Sequence, residues 1–239
     1  MICFGDIMIG DKKVLALIPA RGGSKGIPHK NIIDLCGRPL IEYSISASRS
    51  SKYIDRVIVS TDDAEIARVS KESGADIPFL RPAELAGDNS KTVDAVLHAI
   101  KWLKANGENY HILVLLQPTQ PLRTSEDIDT AIEKFIQSNY QALVSVSPVD
   151  DNPLLIRSIE KGRLIPLLNT SSTCRRQDMP TYYRVNGCIY INLIDELNEA
   201  TSFNDNTVPF VMSREHSVDI DEMRDLYIAE YYLRTKERG

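Results

Sequence analysis

Cysteine and histidine are too few and too scattered in this 239-residue chain to build a metal cage or a disulfide frame. Cys3, Cys36, Cys174 and Cys188 show no CxxC spacing, and His29, His98, His111 and His216 are unclustered. That pattern argues against a zinc module or a stapled secreted scaffold and implies free thiols in a reducing cytoplasm. No hydrophobic run approaches the ~20 residues that a membrane helix needs. The apolar opening, MICFGDIMIG, lacks a leading positive charge and contains Asp6, so it does not fit a secretory signal. Residues 1–12 are read as a loose leader. An excess of positive charge is also missing. The net charge of -5 argues against the basic field of a nucleic-acid binder, so an anion site here has to be a local cluster of Lys and Arg.

What is present is ordinary globular material, 43% hydrophobic and 26% charged, in a chain long enough to bury a core. Residues 14–19 form an apolar run that ends in a glycine-rich loop, and the pattern predicts a buried strand. Helix 40–50, strand 56–60 and helix 63–73 follow, the last stopped by Gly74. A short third strand is expected at 77–80. Between 92 and 105, Val93, Val96, Leu97, Ile100 and Leu103 repeat at helical spacing and define a core-facing stripe. His98 and Trp102 lie off it, the first expected to be solvated or half-buried, the second partly packed. HILVLL (111–116) reads as the central strand. A helix from 125 to 138 then opens on a Thr124/Asp127 capping box, and strand 142–146 comes next.

This alternation implies an α/β fold, a Rossmann-like and mostly parallel sheet flanked by helices, with ligands beyond the carboxyl ends of the strands. The rhythm breaks at 148–185, where two extended pieces flank Lys161-Gly162 and a polar, Arg-rich segment follows. It resumes with strands at 186–192 and 208–212 and an amphipathic helix at 223–236. The whole chain, 1–239, is read as one domain carrying 148–185 as an excursion.

The densest chemistry lies in LIPARGGSKGIPHKN (17–31). A strand delivers its end into a loop with Gly22, Gly23 and Gly26, and with Arg21, Lys25 and Lys30 inside ten residues. Glycines let the backbone approach an anion, and the cations neutralise phosphate charge. No Gly-Lys-Ser/Thr of a Walker loop is present, nor the GxGxxG of a dinucleotide fold, which argues against a nicotinamide-dependent dehydrogenase. The alternative is a solvated basic turn.

A second feature is Asp219-Ile220-Asp221. In extended chain, residues i and i+2 project to one face, so both carboxylates can meet at one place. Such a pair is costly without a cation between them, and hard oxygen ligands suit Mg²⁺ or Mn²⁺. Asp221 is also placed to cap the final helix.

The glycine-rich segment resembles the nucleotide-binding signature of the CMP-sialic acid synthetases (acylneuraminate cytidylyltransferases). The likeness continues through LRPAELAGD (80–88), LLQPTQPLRT (115–124), RRQDMPTYYRVNGCIYIN (175–192) and SVDIDEMRDL (217–226), which covers nearly the whole chain after residue 13. Kdo cytidylyltransferases carry a different first loop, and sugar-1-phosphate nucleotidyltransferases a GxGTR-type loop that is absent here. The resemblance implies a nucleotidyltransferase domain that joins CMP from CTP to a nine-carbon sialic-acid-type sugar. It implies that Arg21, Ser24, Lys25 and Lys30 hold the triphosphate, that Asn31 contacts the ribose, and that Arg81, Ser90 and Thr92 border the cytosine. For Arg81 a loop salt bridge is the competing reading.

Asp219 and Asp221 become the metal aspartates, and Arg21, Lys25 and Lys30 complete the catalytic set. Gln117, Arg176, Arg184, Asn186, Tyr190 and Phe203 match sugar-site positions, although Tyr190 and Phe203 taken singly also read as core. Two departures fall on the sugar side: Leu155 stands where many relatives carry Lys, so that cation is missing or supplied by another residue such as Arg157, and Asn204 follows Phe203 where some relatives have a second aromatic. Legionaminic and pseudaminic acids therefore stand beside N-acetylneuraminate as acceptors. The excursion resembles the family's dimerisation segment, which implies a cytoplasmic homodimer with no nucleic-acid or membrane partner. A CTP-sensing module is the non-enzymatic alternative, and neither the paired aspartates nor a separate sugar side would serve it.

Overall fold

A computed structural model describes residues 9–24, 26–149, 151–169, 173, 175 and 178–236. Most of the unassigned leader, together with Lys25, Cys174 and Arg176, lies outside them. The strands are β1 Val14–Pro19, β2 Asp34–Leu35, β3 Arg38–Pro39, β4 Arg56–Ser60, β5 Ile112–Leu116, β6 Leu143–Pro148, β7 Arg157–Glu160, β8 Arg163–Pro166, β9 Tyr183–Leu193 and β10 Val208–Val211. The helices are α1 Leu40–Arg49, α2 Ala64–Glu72, α3 Thr92–Ala105, α4 Ser125–Gln137 and α5 Met223–Lys236. Among the described residues no helix is long and apolar enough to cross a membrane.

Six strands pair in the order β10-β6-β9-β5-β1-β4. β1 runs parallel to both β4 and β5, and β10 parallel to β6, whereas β9 is antiparallel to each of its neighbours. The sheet is thus mostly parallel, as expected, with one reversed strand in its middle. β1 and β5 read as continuous apolar runs because helices cover both faces. On one face Ile41, Ile45, Ile66, Ile128, Ile132 and Phe135 pack against Val14, Ala16, Ile18 and Val114. On the other, Val93, Val96, Ile100 and Leu103 of α3 meet Leu15, Leu17, Leu113 and Leu115. The α3 stripe is therefore the buried one, while Trp102 is half-buried beside Phe79. His98 is half-buried too, edge-on to Phe79 at 4.8 Å, and burial lowers its pKa, with Arg81 adding to the effect.

The caps follow the sequence. Thr124 accepts from the Asp127 amide at 3.1 Å while Asp127 accepts from the Thr124 amide at 2.9 Å. Asp63 caps α2 through the amides of Glu65 and Ile66, and Gly74 leaves that helix at φ +93°. Residues 77–80 form no strand. Only Asp76 makes an isolated bridge to Ile58, because the edge beside β4 receives one residue before the chain turns towards Arg81. The excursion does contain a hairpin, β7 with β8, whose turn residues Lys161 and Gly162 both have positive φ, the mirror-image turn that suits strand twist.

Candidate active site

The carboxyl ends of β1 and β5 open into a cleft of about 560 Å³. Its wall includes Arg21, Ser24, Lys30, Asn31, Arg81, Ser90, Thr92, Gln117 and Asp221. One cavity thus gathers residues from five separate segments of the sequence. Lys25 and Arg176 fall outside the described residues.

The glycine-rich loop is held from below. The amide of Gly22 donates to Asp62 Oδ1 at 3.0 Å, and Asn31 Nδ2 donates to the Arg21 carbonyl at 2.9 Å. Asn31 is buried, so it braces the loop while presenting its remaining surface to the cleft. Gly26 lies so close to the acidic segment that a Cβ there would sit 2.5 Å from the Asp221 carbonyl oxygen. Glycine is required at that point by contact rather than by backbone angle.

Both described cations of the loop rest on carboxylates. Lys30 Nζ bonds Asp221 Oδ1 at 2.9 Å, and Arg21 Nη1 lies 3.2 Å from Asp88 and donates to the Gly87 carbonyl at 3.1 Å. Asp221 does not cap α5. That work falls to Asp225, whose Oδ2 accepts from the amides of Asp221 and Glu222 at 3.1 and 2.9 Å. The Asp221 carboxylate is therefore released from the helix and faces the lysine.

Arg81 is buried without an ion pair among the described residues, so the loop salt bridge is not formed. Its guanidinium instead bonds the Ser60 carbonyl and hydroxyl and, at 3.4 Å, the Leu85 carbonyl, and desolvation lowers its pKa. It pins the loop carrying Ser90 to the end of β4. Lys91, Thr92 and Ala95 bring the first turn of α3 to the wall, so the positive end of that helix faces the cleft.

Gln117 joins this cleft to a second hollow of about 440 Å³, which contains Tyr190, Phe203 and Asn204. Tyr190 and Asn204 in turn border a third, of about 270 Å³, with Arg184, Asn186 and Asp219. Tyr190 Oη donates to Asn204 Oδ1 at 2.8 Å, and burial, helped by the nearby Asp219, raises its pKa to about 12. Tyr190 and Phe203 are both nearly buried, with ring centroids 5.9 Å apart, so each serves the core and a cavity wall at once. Asn186 is buried, yet its Nδ2 has no hydrogen-bond partner. An unpaired donor at a cavity wall marks a place for a ligand acceptor. Arg157 donates to the Leu154 and Ile156 carbonyls.

The two aspartates divide between compartments, Asp221 on the first cleft and Asp219 on the third hollow, with Ile220 buried between them. Asp219 touches solvent through the hollow but is crowded by protein, and that desolvation raises its pKa. Asp221 pushes in the same direction, while Thr119, Lys30 and Arg184 oppose it. Among the described residues no group of three or more acidic, His or Cys side chains converges as a cage. The two carboxylates are hard oxygen donors of the kind Mg²⁺ and Mn²⁺ take, with phosphate and water oxygens left to complete such a sphere.

Several supporting residues were not singled out from the sequence. Asp62 was legible from its place at the end of a predicted strand. Thr119 lies inside the LLQPTQPLRT motif, but nothing local shows that it favours the charged form of Asp219. Lys91 and Asp88 reach the site only through tertiary contact.

A cytidylyltransferase family model matches residues 15–158. The chain is 36% identical over 231 residues to CMP-N,N'-diacetyllegionaminic acid synthase of Legionella pneumophila, covering 95% of this chain and 99% of that protein. It is 34% identical over 220 residues to pseudaminic acid cytidylyltransferase of Campylobacter jejuni, covering 91% and 95%. Against N-acylneuraminate cytidylyltransferase of Escherichia coli it is 32% identical over 228 residues, 95% of this chain but 53% of that longer protein. Among solved structures, a CMP:2-keto-3-deoxy-manno-octonic acid synthetase complexed with CTP superposes with a TM-score of 0.71 at 16% identity, covering 94% of this chain and 100% of that one. The chain belongs to the cytidylyltransferase family, in the group of CMP-sialic acid synthetases and related CMP-nonulosonic acid synthases.

Proposed function

We propose that the protein transfers CMP from CTP to the anomeric hydroxyl of a nine-carbon nonulosonic acid and releases pyrophosphate. The observation that carries this reading is the junction at Gln117, where a cleft lined by cations meets a smaller hollow that Tyr190 and Asn204 share with a third. Arg21, Ser24 and Lys30 bind the triphosphate there. Arg81, Ser90 and Thr92 frame the base, and Asn31 faces the ribose. Reading cytosine over uracil rests on hydrogen bonds made for the exocyclic amine, which penalise the wrong base heavily. Gln117, Arg184, Asn186, Tyr190 and Phe203 orient the acceptor, whose carboxylate takes an arginine.

In the transfer itself, the chain's task is to hold the attacking oxygen in line with the α-phosphate and to offset charge on the departing pyrophosphate. Lys30 and Arg21 exchange Asp221 and Asp88 for phosphate oxygens. Asp219 and Asp221 would hold Mg²⁺ or Mn²⁺, which when bound would neutralise phosphate charge and acidify the acceptor hydroxyl.

We also propose a homodimer, built on the 148–185 excursion, acting in the cytoplasm. Ile159, Leu164 and Leu167 are 77%, 68% and 60% exposed on and beside a two-stranded hairpin. Such a hairpin is marginal alone in water and is stabilised when covered.

The test is incubation with each nucleoside triphosphate, Mg²⁺ and a panel of N-acetylneuraminic, legionaminic and pseudaminic acids, followed by pyrophosphate measurement and product mass. CTP-dependent formation of a CMP-sugar is expected. CTP binding without turnover on any acid would replace transfer with sensing.

A further inference from the structure

Arg123 is a buried cation with no carboxylate partner among the described residues. It is 3% exposed, and its Nε has no hydrogen-bond partner. Its other nitrogens bond only neutral groups: the Cys188 carbonyl at 2.7 Å and thiol sulfur at 3.6 Å, the Ser44 hydroxyl at 2.7 Å and, more weakly, the Gln117 carbonyl at 3.4 and 3.5 Å. Asp127, four residues on, is committed to Thr124 and His216. A buried charge held by neutral groups costs stability, so a purely structural purpose would be served better by an apolar side chain.

The placement explains the cost. Residues 117–123 form a loop whose two ends Arg123 ties together, with Ser44 adding a 3.2 Å bond to the same Gln117 carbonyl. From this loop, the Thr119 carbonyl accepts the Ile220 amide at 3.0 Å, and the Thr119 side chain favours the charged form of Asp219. Gln120, fully buried, donates to the Asn186 carbonyl at 2.6 Å. Through Cys188, Arg123 also grips β9 immediately beyond Gly187, whose φ is +75°.

We propose that Arg123 is a positioning residue for the acceptor half of the site. Its planar fork fixes one loop that in turn aims Gln117, Asp219 and Asn186. The glycine-rich loop is tied instead to Asp62 and Asn31 and makes no bond to Arg123 among the described residues. The inference rests on the acceptor reading above for its kinetic test, but not for its structural one.

Arg123→Lys keeps the charge and loses the fork, and Arg123→Met keeps the bulk and loses both. In each, kcat/KM for the acceptor is expected to fall 10- to 100-fold while CTP affinity, measured by calorimetry without acceptor, stays within twofold. In a Gln117→Ala background, Arg123→Lys is expected to cost less than threefold more, because both changes remove the same aim. Additive losses, a parallel loss of CTP affinity, or unchanged kinetics would overturn the proposal. If the wild-type protein turns over none of the acids, the acceptor reading fails and hydrogen exchange decides the clamp. The Ile220 and Cys188 amides are expected to exchange at least tenfold faster in Arg123→Lys at an unchanged melting temperature, and unchanged exchange would reject it. Melting more than ~10 °C lower in both variants, with CTP binding gone, would assign Arg123 to the scaffold alone.

Discussion

Replacing Lys30 with Ala separates catalysis from stability in this cleft. The ammonium is largely enclosed, its side chain 17% exposed, whereas its partner Asp221 is 73% exposed. A pair with one partner in water stabilises a fold by about 0–1 kcal/mol, which in a domain of this size moves the melting temperature by roughly 0–4 °C. The same ammonium about 4 Å from a phosphate oxygen, at an effective dielectric constant near 20, contributes up to ~4 kcal/mol to charge that builds as pyrophosphate departs. Allowing for residual solvent, a loss of about 2–4 kcal/mol corresponds to a roughly 30- to 1,000-fold fall in kcat. The assay is continuous pyrophosphate release at saturating CTP, alongside thermal melting of the same preparation. Lys30→Arg should restore part of the rate. A fall below tenfold, or a melting temperature that drops in step with the rate, would show that the lysine braces the acidic segment instead of acting on phosphate.

Gly26→Ala should cut activity at least tenfold with little change in melting, because its Cβ would press on the Asp221 carbonyl oxygen and displace the acidic segment; wild-type turnover in that variant would refute the contact. His98 has a pKa lowered in the fold by burial. The unfolded chain therefore takes up its proton first as pH falls below ~6.5, and stability declines below that pH. Denaturant midpoints measured from pH 8 to 5 should show a shallower decline in His98→Gln, and identical slopes would dismiss the histidine. Ile159→Asp combined with Leu164→Asp should convert a dimer to a monomer by light scattering, and an unchanged mass would place the interface elsewhere.

Much of this architecture could be read in the residues. β1, β4, β5 and α3 announce themselves because each buries an apolar set whose period matches its own geometry. Residues 77–80 misled the reading because Ile77, Phe79 and Leu80 look like an apolar strand, yet Pro78 among them has no amide to give a ladder and the sheet edge offered only one bridge. The reversal of β9 was invisible, since alternation along a strand carries no sign of its direction. In the site, the glycine loop and the acidic pair were legible as short motifs. The supports were not: Thr119 meets Asp219, and Arg123 meets Cys188, only after strands far apart in sequence have paired.

The reversal of β9 has a mechanical result. A strand that left the sheet at the carboxyl edge would end there, but β9 enters at that edge and carries Arg184 and Asn186 before it reaches its pairing with β5 at Ile189–Leu116. Upstream it is tethered to Pro148 through Tyr183, at the foot of the hairpin. Arg184 is thereby held at the third hollow by its pairing with Ser147, and Asn186 by the bond it accepts from the Ser145 hydroxyl, whereas the glycine loop hangs from β1 and Asp62.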